Sequence, residues 1–566
     1  MKLPVGVSDF REVVIEKYQF ADKTLLIKEI LNDSSKAIVL TRPRRFGKTL
    51  NLSMLYYFLQ ANFPQEANLF DGLAISEDKE FCQLHQNKYP VIFVSFKDVK
   101  KQTFDESLAD ITELMRKLYS EHRYLLEGDL MPDDEKRIFA AILEETASKK
   151  DIEGAIEQLS KHLEKKFDRS PIILLDEYDT PIQEAFLRGY YNDMVSSMRA
   201  ILGKALKDNK HLYKAIITGI TRISQESLFS GVNNLEVYSL LREQYGQYFG
   251  LTEEEVIKLI TQTNQEISLD KIKEWYNGYQ VGRYVLYNPW SIINCLKNHG
   301  ELKAYWLNTS NKELIEKLLR ESKSVIKEQF EELLQGNVIE QPISENLVFP
   351  EITRREEALW SLLLYAGYLK VLSSELRDYT LMAKLAVPNK EVSFVYAQIV
   401  SGWFSDTVSL ESYNRFVRSL AAGNLEEFKA YLSAYIMQSG SYFDFNSNTP
   451  EQIFHIFILG LVLGLRDNYI IESNRESGLG RFDVAFIPKD KKWNGILLEF
   501  KVCETLELLP DKAKEALEQI KLRGYFETFK QHGIESVLAI GLAFCGKQVE
   551  LAHGTLEVAN FAHKSK

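Results

Sequence analysis

Four short apolar runs punctuate the first 240 residues: Ala37–Leu40, Pro90–Phe96, Pro171–Leu175 and Ala215–Thr218. They are rich in isoleucine and valine and do not alternate with polar residues. Strands buried on both faces of a parallel sheet read this way. Amphipathic stretches such as Phe104–Tyr119 and Asp134–Leu163 lie between them. Strand alternating with helix predicts an α/β layer with right-handed crossovers. From about Leu241 the pattern becomes helical, with EEEVIKLI, LDKIKEWY and PWSIINCL as its pieces. Pro289 after Asn288 fits a loop followed by the first turn of a helix. Residues 350–400 read as two helices and then two short strands around Val371 and Leu385, the order of a small winged-helix-like unit. Beyond 400 the chain returns to mixed α/β. A helical run around Glu451–Leu465 precedes strands Arg481–Ile487 and Gly495–Phe500, then a helix Pro510–Arg523 and a strand Ser536–Ala543. The expectation is an α/β multidomain chain divided at 1–240, 241–400 and 401–566.

Composition changes this picture little. With 566 residues, and roughly 150 per domain, three to four domains fit. Hydrophobic residues make up 45% and charged residues 26%, which excludes disorder or a coiled coil as a description of the whole. The net charge of −11 excludes a polycation wrapped on nucleic acid, so any such contact must be local or made through metal ions. Even residues 400–566 carry 18 Lys and Arg against 21 Asp and Glu. Cys82, Cys295, Cys503 and Cys545 show no CxxC pair or zinc-ligand spacing, so they read as isolated, buried small hydrophobes in a reducing cytosol. The longest apolar stretch, Phe454–Leu465, is too short to span a bilayer and contains His455, which reads as a packing histidine. The expected setting is cytoplasmic, with no membrane partner.

The first chemical motif is Arg42-Pro-Arg-Arg-Phe-Gly-Lys-Thr49, between the first apolar run and a helical stretch Leu50–Leu59. A phosphate-binding loop needs inward backbone N–H groups at a helix N-terminus, a lysine for the outer phosphates and a hydroxyl for Mg²⁺. Arg45, Phe46 and Gly47 stand where the N–H groups are required, and Lys48 and Thr49 match the other two roles. Arg42 departs from the generic pattern, which has glycine there. A basic turn that caps a helix is the alternative. The second motif, Ile172–Leu175 followed by Asp176 and Glu177, is an apolar strand ending in two acids. That arrangement places an aspartate on Mg²⁺ and a glutamate beside the attacking water. Solvent-facing carboxylates at a strand end are the plainer reading of the acids alone. A third strand ends in Thr218 through Arg222, where a γ-phosphate sensor would lie. The cluster Arg42, Arg44 and Arg45 reads as loop support paired with acidic neighbours. Tyr276, Tyr279, Tyr284 and Tyr287 read as aromatic core.

In the last third, Asp483 follows Gly480-Arg-Phe, and Glu499-Phe-Lys501 ends a second apolar strand. Two acids on adjacent strands can hold one or two Mg²⁺ ions, with a lysine beside them to orient water or stabilise the pentavalent phosphate. Strand alternation puts Glu499 and Lys501 on one face and Phe500 on the other. An edge-strand charge pair is the alternative.

Taken together, RPRRFGKT, LLDEYDTPI, TGITRIS and WYNGY followed by YNPWSI resemble the AAA-ATPase-like family of bacterial and archaeal proteins over roughly residues 5–310. The Asp483…Glu499-Phe-Lys501 set resembles the PD-(D/E)XK core over roughly 400–540. The resemblance implies a P-loop parallel-sheet ATPase of the additional-strand type, a helical and winged-helix-like middle, and a restriction-endonuclease-like α/β C-terminal domain. It makes the Arg42 departure a habit of the family. It also implies Glu451 as a helical metal-binding acid and Gln519 and Tyr525 as downstream helix positions. The implied function is ATP binding and hydrolysis coupled to a metal-dependent nuclease on DNA or RNA. ATP and Mg²⁺ are the implied cofactors, with Mn²⁺ an option at the nuclease-like site, and homo-oligomer formation is left open. The alternatives are a nucleotide-dependent switch or scaffold whose nuclease fold is an inactive binding module, and a nucleic-acid remodeller that does not cleave.

Overall fold

In the computed structural model the four apolar runs form strands β1 (Ala37–Thr41), β2 (Val91–Ser95), β3 (Ile172–Asp176) and β4 (Lys214–Gly219). A fifth, β5 (Leu235–Tyr238), completes a parallel sheet of order β2-β3-β4-β1-β5. Every residue of β1, β3 and β4 is buried, which is why their sequences do not alternate. β5 is a short, half-buried edge strand containing Glu236, so it gives no apolar run. The structure describes residues 2–61, 68–128, 130–207, 209–221, 235–263, 265–307, 312–320, 322, 324–346, 349–352, 354–402, 410–438, 458, 465, 468–473, 476–477, 480–481, 483–490, 492–523, 525 and 527–558. Residues 1–314 with 340–391 form one compact unit, and residues 315–339 with 392–566 form the other.

The sheet order decides where chemistry gathers. β4 lies between β1 and β3, in register from Ala37↔Ala215 to Thr41↔Gly219 and from Ile172↔Lys214 to Leu175↔Ile217. The C-terminal ends of three strands therefore meet at one edge, where parallel α/β sheets bind ligands. Helix Lys48–Leu59 leaves β1 through Gly47, whose φ of +81° is the left-handed conformation glycine adopts without strain. It packs with Leu25–Asn32 on the sheet face formed by Ile38, Leu40, Ile172, Leu174 and Ile216. The expected single stretch Asp134–Leu163 is two helices, Asp133–Leu143 and Lys149–Phe167. Ser148 and Asp151 form a capping box at the break and start the second helix.

Beyond the sheet, helices Glu253–Thr263, Leu269–Tyr276 and Pro289–Lys297 surround a core of Val256, Ile272, Tyr276, Tyr287 and Ile292. Asn288 caps the last of these by accepting from Trp290 N at 2.9 Å, with Pro289 in the first turn. Tyr276, Tyr279 and Tyr287 are buried, as the apolar setting of their sequence predicts. A short hairpin joins β6 (Tyr279–Val281) to β7 (Tyr284–Leu286). Strands β8 (Ile339–Ile343), β9 (Lys370–Arg377) and β10 (Thr380–Ala386) form a three-stranded sheet of order β8-β10-β9. One α-helix, Glu356–Tyr365, precedes that hairpin where two were expected, and a 3₁₀ turn Phe349–Glu351 stands in for the first.

The second unit carries a mixed sheet of order β11-β14-β15-β16-β17, from β11 (Tyr469–Ser473), β14 (Val484–Pro488), β15 (Gly495–Val502), β16 (Ser536–Cys545) and β17 (Gln548–Glu557). Between β11 and β14, β12 (Glu476–Ser477) and β13 (Gly480–Arg481) form a small antiparallel ribbon. β15 and β16 are parallel and connect through helix Leu509–Arg523, while the other neighbours in the sheet are antiparallel. β11 and β17 are edge strands, which the apolar pattern did not indicate. Helix Leu509–Arg523 comes close to β16 because Gly541 has no side chain. A Cβ there would lie 2.3 Å from Ala513 O and 2.5 Å from Leu517 N. Gly541→Ala must therefore push the helix away and should destabilise this unit by about 1–3 kcal/mol, the scale of overpacking, in chemical denaturation. A Gly541→Ala protein as stable as wild type would contradict this packing. Cys503 and Cys545 share one small apolar cluster with Leu509 and Ala513, so these two thiols are neighbours and not isolated as expected. Most of the expected helix Glu451–Leu465, with Glu451 and His455, lies outside the described residues. Among the described residues, no helix is long and apolar enough to cross a membrane.

Candidate active sites

Arg42, at the position where a glycine was expected, is fully buried and its guanidinium donates to Thr41 O and Tyr238 O, both at 2.8 Å, and to Gln244 O at 3.4 Å. Its guanidinium lies 5.3 Å from the Phe249 ring centroid, and burial pulls its pKa down to about 9. Backbone carbonyls hold it, in place of the acidic partners expected. It ties the start of the loop to edge strand β5. Arg45 has a φ of +68° and turns outward, its guanidinium 4.1 Å from the Trp290 ring. Phe46 is buried edge-on against Tyr279 at 5.0 Å. Arg45 and Phe46 are thus held by aromatic rings on either side of the turn into Gly47. Lys48 is buried and folds back over its own loop, donating to Arg42 O at 3.1 Å and Pro43 O at 3.0 Å. Burial lowers its ammonium pKa, against the attraction of Glu177, Asp176 and Asp179.

The strand ends bring the acids to this loop. Thr49 Oγ1 donates to Asp176 Oδ2 at 2.7 Å, and Thr218 Oγ1 donates to Asp176 Oδ1 at 2.6 Å. Ser95, paired with Asp176 across β2 and β3, donates to Oδ2 at 3.4 Å. Burial pushes the Asp176 carboxyl pKa up, the bonds from Thr218 and Thr49 oppose that, and Glu177 adds to it. Glu177 behaves differently. Burial works to raise its pKa, but Lys48, Arg44 and Lys100 outweigh burial and keep it low. It has a φ of +50°, a conformation that costs a non-glycine residue about 1–2 kcal/mol. Such strain is found where surrounding structure fixes a functional side chain. Asp179 is buried and fixes the exit of β4, with Oδ2 accepting from Ile220 N at 2.9 Å, Thr221 N at 3.0 Å and Gln183 Nε2 at 2.8 Å. Thr218 is thus turned onto Asp176, and Arg222 lies outside the described residues.

In the second unit, the antiparallel register Val484↔Leu498 brings Asp483 alongside Glu499. Asp483 Oδ2 accepts from Phe500 N at 2.6 Å, which fixes the carboxylate across the two strands. Glu499 is buried and its Oε1 accepts from Gln519 Nε2, on helix Leu509–Arg523. Gln519 Nε2 also lies 3.5 Å from the hydroxyl of buried Tyr525. Glu499 pairs with Gly541, the point of closest helix approach, which explains how Gln519 reaches it. Lys501 is half-buried, two residues further along the same strand face.

Residues 4–229 match the family model described as predicted AAA-ATPase, and residues 449–554 match that of the PD-(D/E)XK nuclease superfamily. The chain joins an AAA-ATPase-like domain to a PD-(D/E)XK nuclease-superfamily domain. An uncharacterized protein of the vnfD 5′ region of Azotobacter chroococcum mcd 1 is 24% identical over 559 residues, covering 96% of each chain. Among solved structures, a Walker-type ATPase of Pyrococcus abyssi aligns with 13% identity and a TM-score of 0.33, over 66% of this chain and 94% of that one. That likeness is too distant to bear on mechanism.

The structure gathers Lys48, Thr49, Asp176, Glu177 and Thr218 at one edge of the ATPase-like domain's sheet. It sets Asp483, Glu499, Lys501 and Gln519 around one strand pair of the nuclease-superfamily domain. Sequence reasoning missed Ser95, although a serine ending the run Val91–Val94 marks the same sheet edge. It also gave no ligand role to Arg44, which only tertiary placement separates from Arg42 and Arg45. Among the described residues, no group of three or more His, Cys, Asp or Glu is arranged to hold a metal ion.

Proposed function

We propose that the chain binds and hydrolyses ATP in its N-terminal domain, coupled to a metal-dependent phosphodiesterase in its C-terminal domain that acts on DNA or RNA. The observation that carries this reading is the Thr49–Asp176 pair beside Lys48, with an ionised Glu177 next to it. Lys48 compensates charge on the outer phosphates, and the loop N–H groups orient them. Glu177 is kept ionised and so can polarise water as a general base. Thr49 and Asp176 are hard oxygen donors side by side, a set that suits Mg²⁺, which when bound neutralises phosphate charge. Asp483 and Glu499 offer the same chemistry to Mg²⁺ or Mn²⁺, with Lys501 placed to stabilise charge on the phosphate. A cytoplasmic setting agrees with four free cysteines.

A second reading, a nucleotide switch with an inactive nuclease fold, is favoured by one observation. Asp483 and Glu499 already accept protein donors, Phe500 N and Gln519 Nε2. Incubating the full chain with mixed DNA and RNA, with ATP and Mg²⁺ or Mn²⁺ each present or absent, separates the two. Shortened strands support the first reading, and phosphate release over intact strands supports the second. Glu177→Gln should keep ATP bound and slow turnover by at least about tenfold, because the amide cannot take a proton while Asp176 is unchanged. Phosphate release at the wild-type rate would move the role to another acid. Asp179, engaged by Ile220, Thr221 and Gln183, would have to break those bonds to serve.

A further inference from the structure

The three loop arginines have different surroundings. Arg42 donates through its terminal guanidinium nitrogens to the carbonyls of Thr41, Tyr238 and Gln244, although its Nε too is without a partner, and Arg45 lies on Trp290. Arg44 has neither arrangement. Its Nε is shielded from solvent and has no hydrogen-bond partner, and no ion pair to its guanidinium is found among the described residues. Buried donors in native proteins are almost always satisfied, so a lone one calls for a partner that arrives from outside. The backbone of Arg44 is held from the other side. Trp306 Nε1 donates to Arg44 O at 3.4 Å, and neighbouring Pro43 packs so close to Gly367 that a Cβ there would come within 2.9 Å. The side chain therefore extends from an anchored loop.

The charges around it indicate where it faces. The guanidinium feels Glu177 and Asp179 as attractive charges, and it repels Lys48. Lys100, after the end of β2, feels both Arg44 and Glu177. Lys48, Arg44 and Lys100 are thus the cations whose charge Glu177 feels. Lys48 already covers the loop from which the inner phosphates are bound. A second cation on the Glu177 side is positioned for the outermost phosphate, beside the water that Glu177 would polarise. A guanidinium fork matches phosphate oxygens in pairs, which an ammonium cannot do.

We propose that Arg44 reads the γ-phosphate, a binding residue carried by the loop itself that distinguishes a nucleoside triphosphate from a diphosphate. This rests on the nucleotide-site reading above. Without ligand, Glu177 is its counter-charge. With a triphosphate, the γ-phosphoryl oxygens take that place and complete the unpartnered donor.

The test is calorimetric titration of the full chain with ADP and with a non-hydrolysable ATP analogue, each with Mg²⁺, for wild type, Arg44→Gln and Arg44→Lys. Arg44→Gln should weaken the triphosphate analogue about tenfold or more, the scale of one charged hydrogen-bonded contact, and change ADP affinity less than about twofold. Arg44→Lys should fall between, keeping charge and losing the fork. Equal weakening of both nucleotides would make Arg44 a support of the loop and overturn the proposal. Unchanged affinity for both would overturn it as well. If wild type binds neither nucleotide, the nucleotide-site reading itself falls, and this proposal falls with it.

Discussion

Lys48→Ala is expected to abolish ATP binding in a protein that still folds. The ammonium now rests on Arg42 O and Pro43 O at 3.1 and 3.0 Å, contacts within a loop that turns toward its ligand. Removing it leaves two carbonyls short of one donor, at about 1 kcal/mol each. The loop's shape comes from other groups: the Arg42 bonds to β5, the left-handed Gly47 and the Trp306 bond to Arg44. Bound triphosphate loses far more, because the ammonium that would compensate its outer phosphates is gone. Burial lowers the Lys48 ammonium pKa while Glu177, Asp176 and Asp179 attract its charge, and phosphate oxygens can take the place of the two carbonyls it rests on. Calorimetric titration with ATP and Mg²⁺ should show no binding heat, while melting shifts by only a few degrees. Wild-type affinity in the variant would remove this loop from the nucleotide site.

That site was legible in part for a physical reason. Strands buried on both faces announce themselves as unbroken apolar runs, and chemistry at their ends then stands out as the first polar residues. Asp176 and Thr218 were visible this way, one at the end of β3 and the other near the end of β4. Edge strands β5, β11 and β17 gave no such signal, because a half-exposed strand mixes polar residues among its apolar ones. The loop arginines show a different limit. In the sequence Arg42, Arg44 and Arg45 are alike, and the resemblance explained Arg42 as habit without saying what it does. Burial, carbonyls on β5 and the Trp290 ring separate them, and all three come from residues distant in sequence. Asp179 illustrates the same point. Next to Glu177 it reads as a spare base, yet four hydrogen bonds make it a fixed brace of the β4 exit. Gln519 came within view only through resemblance, since its meeting with Glu499 depends on Gly541 in a later strand.

The C-terminal site should separate metal binding from chemistry. Full-length wild type should melt higher with Mn²⁺, because carboxylates from adjacent strands repel unless a cation lies between them. Alanine at Asp483 or Glu499 should remove that stabilisation together with any cleavage, but alanine also strands Phe500 N or Gln519 Nε2. Asp483→Asn and Glu499→Gln are the cleaner variants: each keeps an oxygen for its donor and loses only the charge. They should melt no lower than wild type without metal, since one of two repelling charges is gone, and still lose the Mn²⁺ shift. Lys501→Ala should behave differently. Lys501 shares the strand face of Glu499 without being a hard oxygen donor, so the Mn²⁺ shift should survive its loss. Cleavage should fall by about 10² or more, the scale of one transition-state charge contact. A Lys501→Ala protein that cuts nucleic acid as fast as wild type would end the catalytic reading of Glu499-Phe-Lys501. A chain that keeps the Mn²⁺ shift yet cuts neither DNA nor RNA would make this domain a metal-binding module, with Gln519 and Phe500 N serving to hold its carboxylates in place.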